Sequence, residues 1–131
     1  MESGLPPTTF RKGATALITG AASGIGLATA QRCYSHGMNL VLIDNNAAAL
    51  SQTTAKFIAD GRNTTTTTTS HILDVSSFDE WQQLVPKIES QFPDGIDFLM
   101  LNAGAGISPN GGKTMWEDPT YFERTFAINT M

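Results

Sequence analysis

The apolar positions of this chain switch between two periods. Ala14-Thr15-Ala16-Leu17-Ile18-Thr19 and Asn39-Leu40-Val41-Leu42-Ile43-Asp44 are short, apolar-rich runs. The second is nearly continuous, as in strands that a parallel sheet buries on both faces. Between them a Gly-rich turn at 20–26 opens a helix that runs to about Gly37, whose missing Cβ suits a left-handed C-terminal cap. Ala47, Leu50, Thr54 and Phe57 recur at i, i+3, i+7 and i+10, which predicts a second helix stopped by Gly61. Thr64–Thr69 is a run of six threonines, the only low-complexity feature. It reads as a loop leading into a third strand over Ser70-His71-Ile72-Leu73-Asp74.

The third helical pattern is the clearest. Ser77 with Glu80 forms a capping box, and Trp81, Leu84, Val85, Ile88 and Phe92 follow at i, i+3, i+4, i+7 and i+11. Pro86 falls inside the pattern and predicts a kink, because it removes one backbone bond at a cost of roughly 3 kcal/mol. Asp94-Gly95 turns the chain into a fourth strand, Ile96 to Leu101. Beyond a loop at 103–113, Asp118-Pro119 supplies an N-cap and a first-turn proline for a last helix, with Phe122, Phe126 and Asn129 on one face. Strand and helix alternate throughout, so the expected fold is α/β with a parallel sheet. The expected organisation is an N-terminal arm, disordered or surface-lying, over 1–12 and one domain over 13–131.

Composition narrows the function classes. The 131 residues are 40% hydrophobic and 15% charged, enough to bury one core. Eight basic against twelve acidic residues give a net charge of -4 with no Lys/Arg cluster, a poor match for nucleic acid or an anionic membrane surface. The single cysteine, Cys33, excludes an internal disulfide framework and a Cys-based zinc site and fits a reducing compartment. His36 and His71 are too isolated for a metal site. No apolar stretch approaches the roughly 20 residues that span a bilayer, and the N-terminus lacks a signal-peptide apolar region. A soluble, cytoplasmic protein is expected.

The chemistry concentrates in Thr19-Gly20-Ala21-Ala22-Ser23-Gly24-Ile25-Gly26, placed between a strand and a helix. Glycines there permit a sharp turn and close backbone approach, and the helix start presents free N–H groups to a phosphate. A phosphate-transfer loop would need Lys after the last glycine, and Leu27 stands there instead. Asp44 closes the second strand 18 residues beyond Gly26, near the spacing of an acid that accepts the adenosine 2′- and 3′-hydroxyls. Its charge would repel a 2′-phosphate, and Asn45 and Asn46 follow rather than a cation, so NAD is expected over NADP. The alternative role for Asp44 is a helix N-cap.

These residues resemble the short-chain dehydrogenase/reductase family in its classical branch. The resemblance rests on the Thr19-Gly20 to Gly24-Ile25-Gly26 turn, Asp44, Asp74-Val75, Asn102-Ala103-Gly104 and Phe126-Ala127-Ile128-Asn129, in that order over 13–131. It implies a Rossmann-type doubly wound parallel sheet in three α/β/α layers, of which about four strands are present. It also implies a cofactor site made of Gly20, Ser23, Gly24, Ile25, Gly26, Asp44, Asp74, Val75, Asn102, Ala103 and Gly104. In that site Ile25 would offer its N–H to the pyrophosphate, Asp74 and Val75 would meet the adenine, and Asn102 and Gly104 would line the ribose. Asn129 would be the catalytic asparagine of a proton relay. Leu101 departs from the Asn-Asn-Ala-Gly run of many members, while Asn102 is retained.

The family's hydride transfer uses a serine and a Tyr-x-x-x-Lys pair placed after the asparagine helix. Tyr34 is followed at +4 by Met38 and Tyr121 by Thr125, so neither tyrosine has the lysine. The expectation is the NAD-binding, N-terminal half of a dehydrogenase acting on a small alcohol or carbonyl compound, inactive as it stands. The alternative is a non-enzymatic nucleotide-binding or interaction module, a remnant of such an enzyme. In either case Ile96, Phe98, Leu99, Met100 and Leu101 would form an apolar sheet edge suited to self- or hetero-association.

Overall fold

The computed structural model describes residues 9–61 and 65–103. It contains β1 (Thr15–Thr19), α1 (Gly24–Ser35), β2 (Asn39–Asp44), α2 (Ala47–Asp60), β3 (Thr68–Ile72), α3 (Phe78–Gln91) and β4 (Phe98–Leu101). All strand pairs are parallel, in the order β3-β2-β1-β4. The last helix expected from Asp118, Gly104 and Asn129 all lie outside the described residues.

Alternation along the two central strands divides the core. Ala16, Ile18, Leu40 and Leu42 face α1 and α2, where they meet Ala30, Cys33, Tyr34, Leu50 and Phe57. Leu17, Val41 and Ile43 face α3, where they meet Leu84, Ile88 and Phe92. With helices on both sides, β1 and β2 are buried along nearly their whole length. The architecture is therefore an α/β/α sandwich of the doubly wound kind. Strand order reverses between β1 and β4, so the C-terminal ends of these neighbours frame the switch-point crevice.

Helix ends follow local chemistry. α1 closes on a two-bond cap: the Gly37 N–H donates to the Tyr34 carbonyl at 2.9 Å and the Met38 N–H to Cys33 at 3.2 Å. Gly37 has φ +76°, which a side chain would strain. Gly61, at φ +68°, ends α2 as its spacing predicts. α3 continues through Pro86 to Gln91.

Two strands differ from their expected bounds: β4 starts at Phe98 rather than Ile96, and β3 shifts as a whole. β3 begins inside the threonine run at Thr68 and ends at Ile72, two residues before Asp74. The β-branched threonines are taken up by the ladder with β2, where Thr68 pairs with Leu40 and Thr69 with Val41. Asp74 is thereby released from the strand into the turn that precedes α3.

The face of β4 toward α3 is open: Leu99 is 57% and Leu101 62% exposed, while Phe98 and Met100 pack on the α1/α2 core. An apolar groove of about 590 Å³ runs there, lined by Leu17, Trp81, Val85, Ile88, Leu99 and Leu101. At the opposite end of the sheet the arm is anchored where it is described. The Phe10 ring packs tilted against Phe98, centroids 4.9 Å apart, and Arg11 bridges to Asp97 at 3.2 Å. No helix among the described residues is long and apolar enough to cross a membrane.

Candidate functional site

The predicted site residues collect at the C-terminal ends of the strands. β1 runs into Gly20, β2 ends on Asp44, the chain after β3 carries Asp74 and Val75, and β4 leads to Asn102 and Ala103. Tertiary contacts join most of this set into one unit.

The turn after β1 is compact because two glycines occupy special positions. Gly20 adopts φ +66°, and a Cβ on it would stand 2.9 Å from the Asn102 Nδ2. Gly26 is more constrained: its Cβ would fall 2.1 Å from the Gly20 carbonyl oxygen. No side chain fits there, so the first turn of α1 lies directly against the turn that precedes it. Gly24 has φ +57° with open space around it. Its glycine serves conformation, not packing.

The start of α1 leaves backbone donors free. Ser23 occupies the N-cap, but its side chain makes no capping hydrogen bond, and the first turn holds no acid. The first intrahelical bond runs from the Leu27 N–H to the Ser23 carbonyl at 3.2 Å. The N–H groups of Gly24, Ile25 and Gly26 precede it and have no acceptor within the helix. Ile25 is 71% exposed, so this end of the helix faces solvent. Three donors without a partner among the described residues and the positive end of the helix dipole favour an anion such as a phosphate.

Asp44 is half-buried beside this turn. Its Oδ2 accepts from the Ala22 N–H at 3.1 Å and its Oδ1 from the Asn46 N–H at 3.0 Å. The N-cap of α2 is Asn46, whose side chain accepts from the Ala49 N–H at 3.0 Å. Asp44 is therefore not the cap of that helix.

On the other side, β4 is tied to the turn through two polar groups. The Ala103 N–H donates to Thr19 Oγ1 at 2.9 Å, and Thr19 donates to the Met100 carbonyl at 3.4 Å. The Asn102 amide reaches the Gly20 carbonyl at 3.5 Å. Asn102 and Ala103 thus brace the Gly-rich turn from the neighbouring strand. Thr19 is not among the site residues expected from sequence, although a polar side chain in an apolar strand is the available signal. It is 1% exposed and fully engaged.

Asp74 and Val75 stand at the far side, attached to the start of α3. Asp74 Oδ1 accepts from the Ser76 hydroxyl at 2.6 Å and from the Ser76 N–H at 2.9 Å. These bonds, the hydroxyl first, hold its carboxyl below the ordinary carboxylate range. The capping box is only half formed. Ser77 caps the Glu80 N–H at 3.3 Å, but Glu80 turns to the Asp74 N–H at 3.4 Å, while the Ser77 N–H donates to the Asp74 carbonyl. Val75 is buried, and its carbonyl accepts from the Trp81 indole at 3.0 Å.

The site is thus a dinucleotide-binding crevice in form: a phosphate-ready helix start, an acid at the end of the next strand, and a braced switch point. Residues 14–131 match the family model for short chain dehydrogenases, and this chain belongs to that family. It is 36% identical over 115 residues to a 1-deoxy-11-beta-hydroxypentalenate dehydrogenase of Streptomyces arenae, covering 87% of this chain and 38% of that protein. Among solved structures, one of a short chain dehydrogenase/reductase from Burkholderia phymatum in complex with NAD is similar at TM-score 0.77 and 32% identity, covering 91% of this chain and 40% of that one. A metagenomic short-chain oxidoreductase in complex with NADP is similar at TM-score 0.75 and 27% identity, covering 91% and 51%. The chain spans only about two fifths of the length of the Streptomyces relative.

Proposed function

We propose that this chain is the dinucleotide-binding portion of a short-chain dehydrogenase and takes NAD in preference to NADP. The uncapped start of α1 carries the reading, since it leaves three backbone donors beside a turn that only glycine can form. The residues present fit the cofactor. Gly24, Ile25 and Gly26 would hold the pyrophosphate with Ser23 beside it, Asn102 would line the ribose, and Asp44 would accept the adenosine hydroxyls. Asp74 and Val75 would meet the adenine from the end of β3.

When bound, the nicotinamide supplies hydride transfer to or from a carbinol or carbonyl carbon. The chain's own part is to bind, orient and brace. The glycines bring backbone dipoles close to the phosphates, and Thr19 and Asn102 lock β4 to the turn. Gly104 and Asn129, the latter with a relay role, complete the proposed set and lie outside the described residues. The sequence holds no Tyr-x-x-x-Lys pair, so we expect binding without turnover from these 131 residues.

Calorimetric titration of the purified chain with NAD and NADP tests the reading. The expected result is saturable NAD binding, with NADP weaker by about tenfold because its 2′-phosphate would oppose the Asp44 carboxylate. Absence of binding to both would overturn it. Oxidation of an alcohol by the pure chain would show that catalysis needs no further residues. Binding without turnover by the intact native protein would favour a non-enzymatic nucleotide-binding module.

A further inference from the structure

We propose that Asp44 is also a positioning residue for the phosphate-binding turn, and that one carboxylate thereby couples ribose recognition to the grip on phosphate. This rests on the dinucleotide reading above and concerns the same site.

The β1–β2 ladder ends where Thr19 pairs with Ile43. Past that point the chain leaves β1, yet it remains stitched to β2 by two successive donors. The Ala21 N–H donates to the Ile43 carbonyl at 3.2 Å, and the Ala22 N–H donates to Asp44 Oδ2 at 3.1 Å. The second stitch uses a side chain because the Asp44 carbonyl faces the other neighbour, β3, where it accepts from the Leu73 N–H at 3.2 Å. Asp44 Oδ1 accepts from the Asn46 N–H at 3.0 Å, which fixes the orientation of the carboxylate from its other oxygen. Ala22 immediately precedes Ser23, the residue at the head of α1. The clamp therefore holds the last residue before the N-cap and the free donors of Gly24, Ile25 and Gly26.

The two roles coexist because an ionised carboxylate has about four acceptor positions. One N–H on each oxygen leaves one position on each for a ribose hydroxyl. A neutral, shorter side chain would lose the hydroxyl contacts and also strand the half-buried Ala22 N–H. The consequence is specific: removing Asp44 weakens even ligands that have no ribose hydroxyl to offer. Deleting the acid should therefore weaken the hold on the phosphates common to both dinucleotides.

The test compares the wild-type chain with Asp44→Ala and Asp44→Asn, titrated with ADP and with 2′,3′-dideoxy-ADP. Amide hydrogen exchange of Ala22 is followed in the same proteins. Asp44→Ala is expected to weaken dideoxy-ADP roughly fivefold to tenfold, the loss of about one charge-assisted hydrogen bond. Asp44→Asn keeps one acceptor oxygen and should fall between. In the wild type, the Ala22 amide should exchange at least about tenfold more slowly than the neighbouring Ser23 amide, and Asp44→Ala should abolish that protection. Equal affinity of wild type and Asp44→Ala for dideoxy-ADP, with ADP still weakened, would overturn the proposal and leave the dinucleotide reading standing. An unprotected Ala22 amide in the wild type would overturn it with no variant needed. Failure of the wild type to bind ADP at all would overturn the dinucleotide reading and the proposal's phosphate role together.

Discussion

Three helices begin at the same end of this sheet, and they treat their first turns in opposite ways. α2 and α3 are capped from within: Asn46 accepts from the Ala49 N–H and Ser77 from the Glu80 N–H. α3 adds Asp79 and Glu80 to its first turn, so its dipole is answered by its own chain. α1 has a serine at the same cap position, yet that serine makes no cap bond and no acid follows it. The difference is what a binding site needs. A helix that satisfies its own donors is stable and closed, whereas one that withholds the cap keeps its donors for a ligand.

Substitutions at the glycines give the largest expected effects. Gly26→Ala would place a methyl 2.1 Å from the Gly20 carbonyl oxygen and 2.8 Å from the Asn102 amide. It should cost about 3 kcal/mol in urea unfolding, at the upper end for overpacking, and abolish dinucleotide binding. Gly24→Ala meets no neighbour and should cost only the left-handed strain of about 1–2 kcal/mol. Equal costs at the two positions would mean that the turn is not packed against α1.

The caps come next. Ser77→Ala should lower stability by about 1 kcal/mol, because it removes the acceptor of the Glu80 N–H. Ser23→Ala should change the ligand-free stability by less than about 0.5 kcal/mol, since no cap is lost. A comparable loss at both serines would erase the contrast between the helices.

Titration gives the smallest effects. His71 on β3 has its Nε2 buried without a partner among the described residues, and burial, aided by Lys87, lowers its pKa from the ordinary histidine value. A histidine depressed in the fold gives its full stabilisation above its unfolded pKa and loses it as pH falls toward the lower folded value. The unfolding midpoint should therefore drop as pH falls below the ordinary histidine value of about 6.5, and His71→Gln should flatten that part of the profile. Asp74 acts in a lower window. Its carboxyl is held down by Ser76, so its contribution persists above the unfolded carboxylate range and is lost on further acidification, a loss that Ser76→Ala should reduce.

Much of this architecture is legible in the order of the residues. The seven described elements occur in the order the apolar periods predict, with β3 displaced into the threonine run and β4 shortened at its start, and Gly37, Gly61 and Ser77 end or begin helices as their chemistry demands. These features are local, since a turn needs a glycine and a cap needs an oxygen whatever surrounds them. The threonine run is harder, because its residues suit either a loop or an edge strand, and only pairing with Leu40 and Val41 selects the strand. Similarly, the spacing of Ser77 and Glu80 is that of a reciprocal cap, but the nearby Asp74 N–H takes the glutamate instead.

By itself, then, the sequence determined the strand–helix alternation, the parallel sheet and the identity of the turn that can approach a phosphate. Those follow from hydrophobic period and from the steric freedom of glycine. Tertiary structure alone decided that Gly26 touches Gly20, that Thr19 and Asn102 brace the turn from β4, and that Asp44 holds Ala22. Each of these joins residues that are distant along the chain or meet across a turn. Their distances are set by strand order and register, quantities that no local pattern of residues encodes.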